Sequence, residues 1–259
     1  MKEIASVHNP AVLALRELQK PRARREQGLF LCESAKMVRE ALALSLCRTL
    51  IVQRGREEDY AREIDAAQAQ GAQALLVAPP VMQALSEAKT PQGIAATVAI
   101  RPEPQALSGS RIVALDGVQD PGNLGTIIRI ADWFGIRRIF CSPETADVWN
   151  PKVIQATMGS IARVSVEYTP LVSLMDSLPE GFPVYGTLLD GDDITKADTH
   201  NHGIIVMGNE GNGISPAIRE RVTHKLLIPN YPAGSPTADS LNVAIATSIT
   251  CFAIRQRPL

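Results

Sequence analysis

Two rhythms of apolar and polar residues alternate along this chain. Short, nearly continuous apolar runs suit buried strands, and wider helical spacings lie between them. In the N-terminal part, the spacing predicts a helix over residues 9–20, with Leu13, Leu15 and Leu18 as core contacts. The basic turn Pro21-Arg22-Ala23-Arg24-Arg25 ends it. Strands are predicted at residues 28–32, 49–53, 73–77 and 93–100. Between them come a helix from the N-cap Ser34 to Leu44, one over 57–70 closed by Gly71, and one over 79–88 with proline in its first turn. Residues 101–109, rich in proline near their start, read as a linker. Strands alternating with helices define an α/β layer domain.

The same alternation resumes at Arg111. Strands are predicted at 111–115, 138–141, 163–168, 184–188, 204–207 and 226–228. Helices are predicted at 124–134, from Asn150-Pro151 onward, at 171–178, and from Ser240 to the end, where Leu241, Ile245, Ile249 and Phe252 form an apolar stripe. The expected organisation is a smaller N-terminal α/β domain over 1–104, a linker over 105–110, and an α/β domain with a mainly parallel sheet over 111–259.

Composition changes this picture little. The 259 residues carry a net charge of −1, so no global basic field marks a nucleic-acid binder. Residues 1–25, however, hold six Lys/Arg against two acids, and 111–259 hold twelve against fifteen. Arg22, Arg24 and Arg25 are therefore candidate phosphate contacts, or simply cations at a helix end. Cys32, Cys47, Cys141 and Cys251 lie far apart with no CxxC pair, which points away from a zinc site or a disulfide framework. His200-x-His202 sits in a polar stretch without further recognisable ligands. No metal is expected. Without a signal peptide or an apolar run of membrane length, the expectation is a soluble cytoplasmic protein.

Three loops carry candidate chemistry. The first, 116–123, is dense in turn formers and leads into a helix bearing Arg129. Backbone amides at a helix start attract anions, yet neither a P-loop nor a G-x-G-x-x-G fingerprint is present. Arg129 taken alone reads first as an ordinary surface cation. The second, Gly208-Asn209-Glu210-Gly211-Asn212-Gly213, follows an apolar strand, where open α/β sheets bind ligands. The third, 229–239, contains three prolines and precedes Ser240-Leu241-Asn242.

Together these segments resemble the three motifs of the SpoU/TrmH family of RNA ribose 2′-O-methyltransferases. The matching runs are Asp-Gly-Val-Gln-Asp-Pro-Gly-Asn-Leu-Gly-Thr-Ile-Ile-Arg at 116–129, Val-Met-Gly-Asn-Glu-Gly-Asn-Gly-Ile-Ser at 206–215, and Ile228-Pro229 followed by Ser240-Leu241-Asn242-Val243-Ala244. The first domain resembles the ribosomal-protein-like RNA-binding domain of many members. The resemblance implies a SPOUT methyltransferase fold with a deep trefoil knot, against the usual connection rules. It also implies a homodimer, S-adenosylmethionine as methyl donor with S-adenosylhomocysteine as product, and ribosomal or transfer RNA as substrate.

Carried over by motif position, Arg129 is the catalytic arginine. Asn123, Glu210, Ser240 and Asn242 are the polar groups that position it and the ribose. Thr187, Leu188, Gly208, Asn209, Gly211, Ile228, Ser240 and Leu241 are the donor-binding positions, and Arg22, Arg24 and Arg25 would contact RNA phosphates. Two departures stand out. The loop between Ile228-Pro229 and Ser240 is longer than in typical members, with Asn230 where methionine is common, and Ser34 replaces the glycine many relatives carry after Glu33. The rival readings are a catalytically silent RNA-binding or assembly factor that keeps the fold, and a nucleotide-binding enzyme using the glycine loops for phosphates.

Overall fold

A computed structural model of the chain describes residues 1–100, 111–232 and 235–255. It forms two compact units, Met1–Pro102 with Trp149–Ala162, and Glu103–Val148 with Arg163–Leu259. The linker expected at 105–110 lies outside the described residues.

The first unit holds strands β1 (Lys2–Ile4), β2 (Leu29–Cys32), β3 (Cys47–Gln53), β4 (Gln73–Val77) and β5 (Ile94–Ala99) in the order β1-β4-β3-β5-β2. The pairs β1–β4 and β4–β3 are parallel, and β5 runs antiparallel to both β3 and β2. Its helices are α1 (Pro10–Glu17), α2 (Pro21–Gln27), α3 (Ala35–Ala43), α4 (Ala61–Ala69) and α5 (Pro79–Leu85). Strand β1 was not expected: three residues with only Ile4 buried show no alternation to read. Val12, Leu15 and Leu18 join Ile4, Ile51, Leu75 and Val81 in one core, but Leu13 is exposed.

The basic segment is not a helix end. Pro21 occupies the first turn of α2, where its missing N–H costs nothing. Gly28 closes α2 in the left-handed conformation at φ 62°. Trp149–Ala162, expected in the second domain, packs with the first unit. Asn150 caps α7 (Pro151–Thr157) through Lys152 N–H, and Phe30 stacks on Trp149 at 4.6 Å.

The second unit is built on a wholly parallel six-stranded sheet, in the order β11-β9-β10-β6-β7-β8. The strands are β6 (Arg111–Asp116), β7 (Arg138–Cys141), β8 (Ser165–Tyr168), β9 (Val184–Asp193), β10 (Gly203–Gly208) and β11 (His224–Leu227). The helices are α6 (Pro121–Trp133), α8 (Leu171–Asp176), α9 (Pro216–Arg219) and α10 (Val243–Arg255). Central strands β6 and β10 are continuous apolar runs because helices cover both faces. The mainly parallel α/β class is thus as expected.

Helix α10 corrects one expectation. Leu241, Ile245 and Phe252 are about half exposed, while Val243, Ala244, Thr247, Thr250, Cys251 and Ile254 face inward. Small residues allow α10 to lie close against α6 and β10. Thr247 hides its hydroxyl by donating to the Val243 carbonyl at 2.7 Å, so a residue that reads as polar behaves as core. Among the described residues, no helix is long and apolar enough to cross a membrane.

Candidate functional site

Three connections at the C-terminal ends of the parallel strands, together with the C-terminal half of β9, build the site, all within the second unit. The first follows β6. Gly117 turns the chain at φ 75°, and Asp120 caps α6 by accepting from Asn123 N–H at 2.7 Å. Helix α6 therefore starts three residues earlier than the sequence suggested, and Asn123 sits inside its first turn. Proline at the first position and the Asp120 cap favour that start.

The second connection follows β10. Asn209 and Gly213 exchange both backbone hydrogen bonds at 2.9 Å, which folds 209–213 into a tight loop. A Cβ on Gly208 would lie 2.2 Å from the Gly213 carbonyl carbon, so only glycine fits there. The glycine requirement at this position thus comes from the loop's own backbone. Asn209 secures the loop further: its Oδ1 accepts from Gly211 and Asn212 N–H, and its Nδ2 donates to the Gly117 carbonyl at 2.7 Å.

Glu210 ties this loop to the first. Its carboxylate accepts from Gln119 N–H and Asp120 N–H at 3.2 Å each and from Asn123 Nδ2 at 2.9 Å. Partial burial pushes the carboxyl pKa up. The hydrogen bonds from Asn123 and the backbone outweigh that and hold it below the usual carboxylate range. The third motif joins through Asn242, whose Nδ2 donates to Asn123 Oδ1 at 2.9 Å. Its Oδ1 caps α10 by accepting from Ala244 N–H at 2.9 Å and Ile245 N–H at 3.2 Å. Glu210, Asn123 and Asn242 thus form one chain of hydrogen bonds from the glycine loop to the start of α10.

Beside this chain lies a cavity of about 600 Å³. All eight residues expected at a donor site, Thr187, Leu188, Gly208, Asn209, Gly211, Ile228, Ser240 and Leu241, line it. Leu226, Leu227 and Val243 add apolar wall, and Asp190, Glu210 and Asp239 add carboxylates. Sequence reading missed Asp190. It lies beyond residue 188, where the strand was expected to stop, but β9 runs on to Asp193. Its carboxylate accepts from Lys225 at 2.9 Å and Arg219 at 2.7 Å; the hydrogen bond from Lys225 foremost draws its pKa below the usual range against the opposing effect of burial, and the Arg219 charge adds to the lowering.

Two expectations need correction. Arg129 is exposed on α6 and makes no hydrogen bond or ion pair with the described residues, so Asn123, Ser240 and Asn242 do not hold it. They are positioned instead by one another and by α10, except that Ser240 stands on the cavity wall. Arg24 is only 2% exposed, and its guanidinium donates to the Leu18 and Gln19 carbonyls at 2.9 and 2.7 Å. It ties down the end of α1 and is not a phosphate contact; Arg22 and Arg25 remain exposed. Among the described residues no group of histidine, cysteine and carboxylate side chains could hold a metal.

A parallel α/β sheet with a mostly apolar cavity at its strand ends, bordered by carboxylates and a helix start, defines a small-molecule-binding enzyme domain. A model of the SpoU rRNA methylase family matches residues 110–252, and a model of the MRM3-like substrate-binding domain matches 9–96. The 23S rRNA (guanosine(2553)-2′-O)-methyltransferase RlmP of Bacillus subtilis is 33% identical over 98% of this chain and 100% of its own length. Among solved structures, an AdoMet-bound rRNA methyltransferase from Sinorhizobium meliloti is 31% identical with a TM-score of 0.86, covering 98% of this chain and 97% of that one. An RNA methyltransferase of the TrmH family from Porphyromonas gingivalis, described as putative, is 35% identical with a TM-score of 0.84, covering 98% and 100%. The chain belongs to the SpoU rRNA methylase family.

Proposed function

We propose that this protein transfers a methyl group from S-adenosylmethionine to a ribose 2′-hydroxyl of ribosomal RNA, with 23S rRNA as the substrate. The observation that carries this reading is the linkage of all three family motifs at one cavity: residues of the second and third line it, and Asn123 of the first is bonded to Glu210 and Asn242. The relatives' names over nearly the full length favour ribosomal RNA.

The cavity suits the donor chemically. Leu188, Leu226, Ile228 and Leu241 offer an apolar wall to an adenine ring, and Glu210 and Asp239 offer negative charge to a molecule with a sulfonium and an ammonium group. When bound, the donor supplies an already electrophilic methyl group. The protein's own work is then positioning and charge control. Asn242 and Ser240, at the start of α10, orient the nucleotide. Asn123 is fixed for the same task by Glu210 on one side and Asn242 on the other. Arg129, a free fork of donors, binds the phosphate beside the target ribose and orients its hydroxyl. As a permanent cation it serves as a clamp.

The N-terminal unit supplies substrate contacts, Arg22 and Arg25 among them. The chain works as a cytoplasmic homodimer: Ile245 and Phe252 on α10, with Trp133 at 86% exposure on the neighbouring α6, give an apolar surface suited to a second copy. The return of the chain from edge strand β11 to α10, beside central β10, supports the knotted path implied by the family resemblance. The test is label transfer from methyl-labelled S-adenosylmethionine to RNA from cells lacking this gene. Label in 23S rRNA that blocks alkaline cleavage at one phosphodiester is the expected result. Label confined to transfer RNA, or to bases, would overturn it.

A further inference from the structure

Tyr231 is 94% exposed, more than any other large apolar side chain among the described residues. It stands in the loop between Ile228 and Ser240. Both ends of that loop line the cavity, through Ile228 on one side and Asp239, Ser240 and Leu241 on the other. The loop's described residues are cross-bonded. Asn230 Nδ2 donates to the Ser235 carbonyl at 3.1 Å and to Thr237 Oγ1 at 3.4 Å, and Ser235 N–H donates to the Pro232 carbonyl at 3.1 Å. Pro229, Pro232 and Pro236 fix their own φ angles. An aromatic ring is therefore presented to water three residues beyond Ile228 of the cavity wall, on the loop that joins two walls of a site that must accept one nucleotide of a large RNA.

We propose that Tyr231 is a stacking platform for an unpaired nucleobase of the substrate RNA, at or next to the methylated ribose. This rests on the methyltransferase reading above. A ribose 2′-hydroxyl enters a cavity of this depth most readily from an unpaired, unstacked nucleotide. An unstacked base loses its neighbours' π-faces and gains from an aromatic side chain in their place. A ring this exposed contributes no packing to the fold, so replacing it leaves the folded chain intact. Tyrosine also suits the role because its two side-chain torsions leave little freedom to lose on contact.

The experiment uses the full chain and unmodified 23S rRNA transcribed in vitro, with wild type, Tyr231→Phe, Tyr231→Trp, Tyr231→Leu and Tyr231→Ala. Expected for alanine is a rise in KM for the RNA of about 10-fold, within a range of about 5- to 150-fold for one stacked base. S-Adenosylmethionine affinity by calorimetry and the thermal midpoint should not move. Phenylalanine and tryptophan should keep KM within about twofold of wild type, and leucine should fall with alanine, since a branched apolar group has no π-face. An unchanged KM in Tyr231→Ala, or leucine as good as tyrosine, overturns the inference. So does a weaker dimer by sedimentation equilibrium without RNA, because a second copy then covers the ring. A wild type that binds donor but methylates no RNA overturns the functional reading instead, a result separable from all of these.

Discussion

Asn242 performs two tasks with one side chain, and substitutions separate them. Its Oδ1 caps α10 through two N–H groups, and its Nδ2 holds Asn123. Asn242→Ala removes both. Loss of the cap costs about 1 kcal/mol and loss of a partly hydrated hydrogen bond about 0.5 kcal/mol, together about 1.5 kcal/mol. For a chain of this size the thermal midpoint should fall by roughly 3–6 °C. Asn242→Asp keeps the acceptor for Ala244 and Ile245, and its charge sits well at the positive end of the helix dipole, a gain of about 0.5 kcal/mol. It also sets a carboxylate oxygen against Asn123 Oδ1. Stability should therefore stay within about 0.5 kcal/mol of wild type while methyl transfer falls as far as in the alanine variant. Calorimetry gives the midpoints, and single-turnover transfer from labelled donor gives the rates. An alanine variant with an unshifted midpoint would refute the capping argument. An aspartate variant with wild-type rates would refute the claim that the bond to Asn123 positions the site.

Four further outcomes are expected. Glu210 has a depressed carboxyl pKa, so its contribution is complete above the ordinary value of 4.5 and disappears as pH falls through the lower folded value. Hydrogen exchange at Gln119 and Asp120, corrected for intrinsic rate, should be constant from about pH 8 to 5 and rise below that, with no such rise in Glu210→Gln. Arg24→Ala should destabilise by about 2–3 kcal/mol, because two carbonyls lose a buried charged donor, yet leave the salt slope of RNA binding unchanged. The double variant Arg22→Gln, Arg25→Gln should do the reverse, flattening that slope by about 1–2 with no loss of stability by urea titration. Gly208→Ala forces the 209–213 loop aside, so S-adenosylmethionine binding by calorimetry should be lost and the fold weakened by about 2 kcal/mol; an alanine variant that binds donor normally would contradict the close approach to Gly213.

Strands β3, β4, β6, β7 and β10 were legible because each is a run of apolar or β-branched residues bounded by turn formers, and burial on both faces needs no alternation. Helix α6 was placed late because Pro121-Gly122-Asn123 are turn formers in isolation; only the Asp120 cap makes them the first helical turn. The buried face of α10 was misassigned because large residues drew attention, whereas close contact with α6 selects the stripe of Val243, Ala244, Thr247 and Cys251. Arg24 illustrates a different limit. Nothing in Pro-Arg-Ala-Arg-Arg distinguishes the arginine that turns inward from the two that do not; the two free carbonyls at Leu18 and Gln19 make the choice. The cavity residues were readable only through the motifs, since residues 187, 208, 228 and 240 are brought together by sheet order and not by proximity in sequence.

The most direct test of the central claim is single-turnover methyl transfer to 23S rRNA by Arg129→Ala beside wild type, both loaded with labelled S-adenosylmethionine. Arg129 is exposed and unpaired among the described residues, so its removal should leave donor affinity within about twofold and the thermal midpoint unchanged, while the transfer rate falls by about 10²-fold or more. Transfer by Arg129→Ala at the wild-type rate would contradict the account.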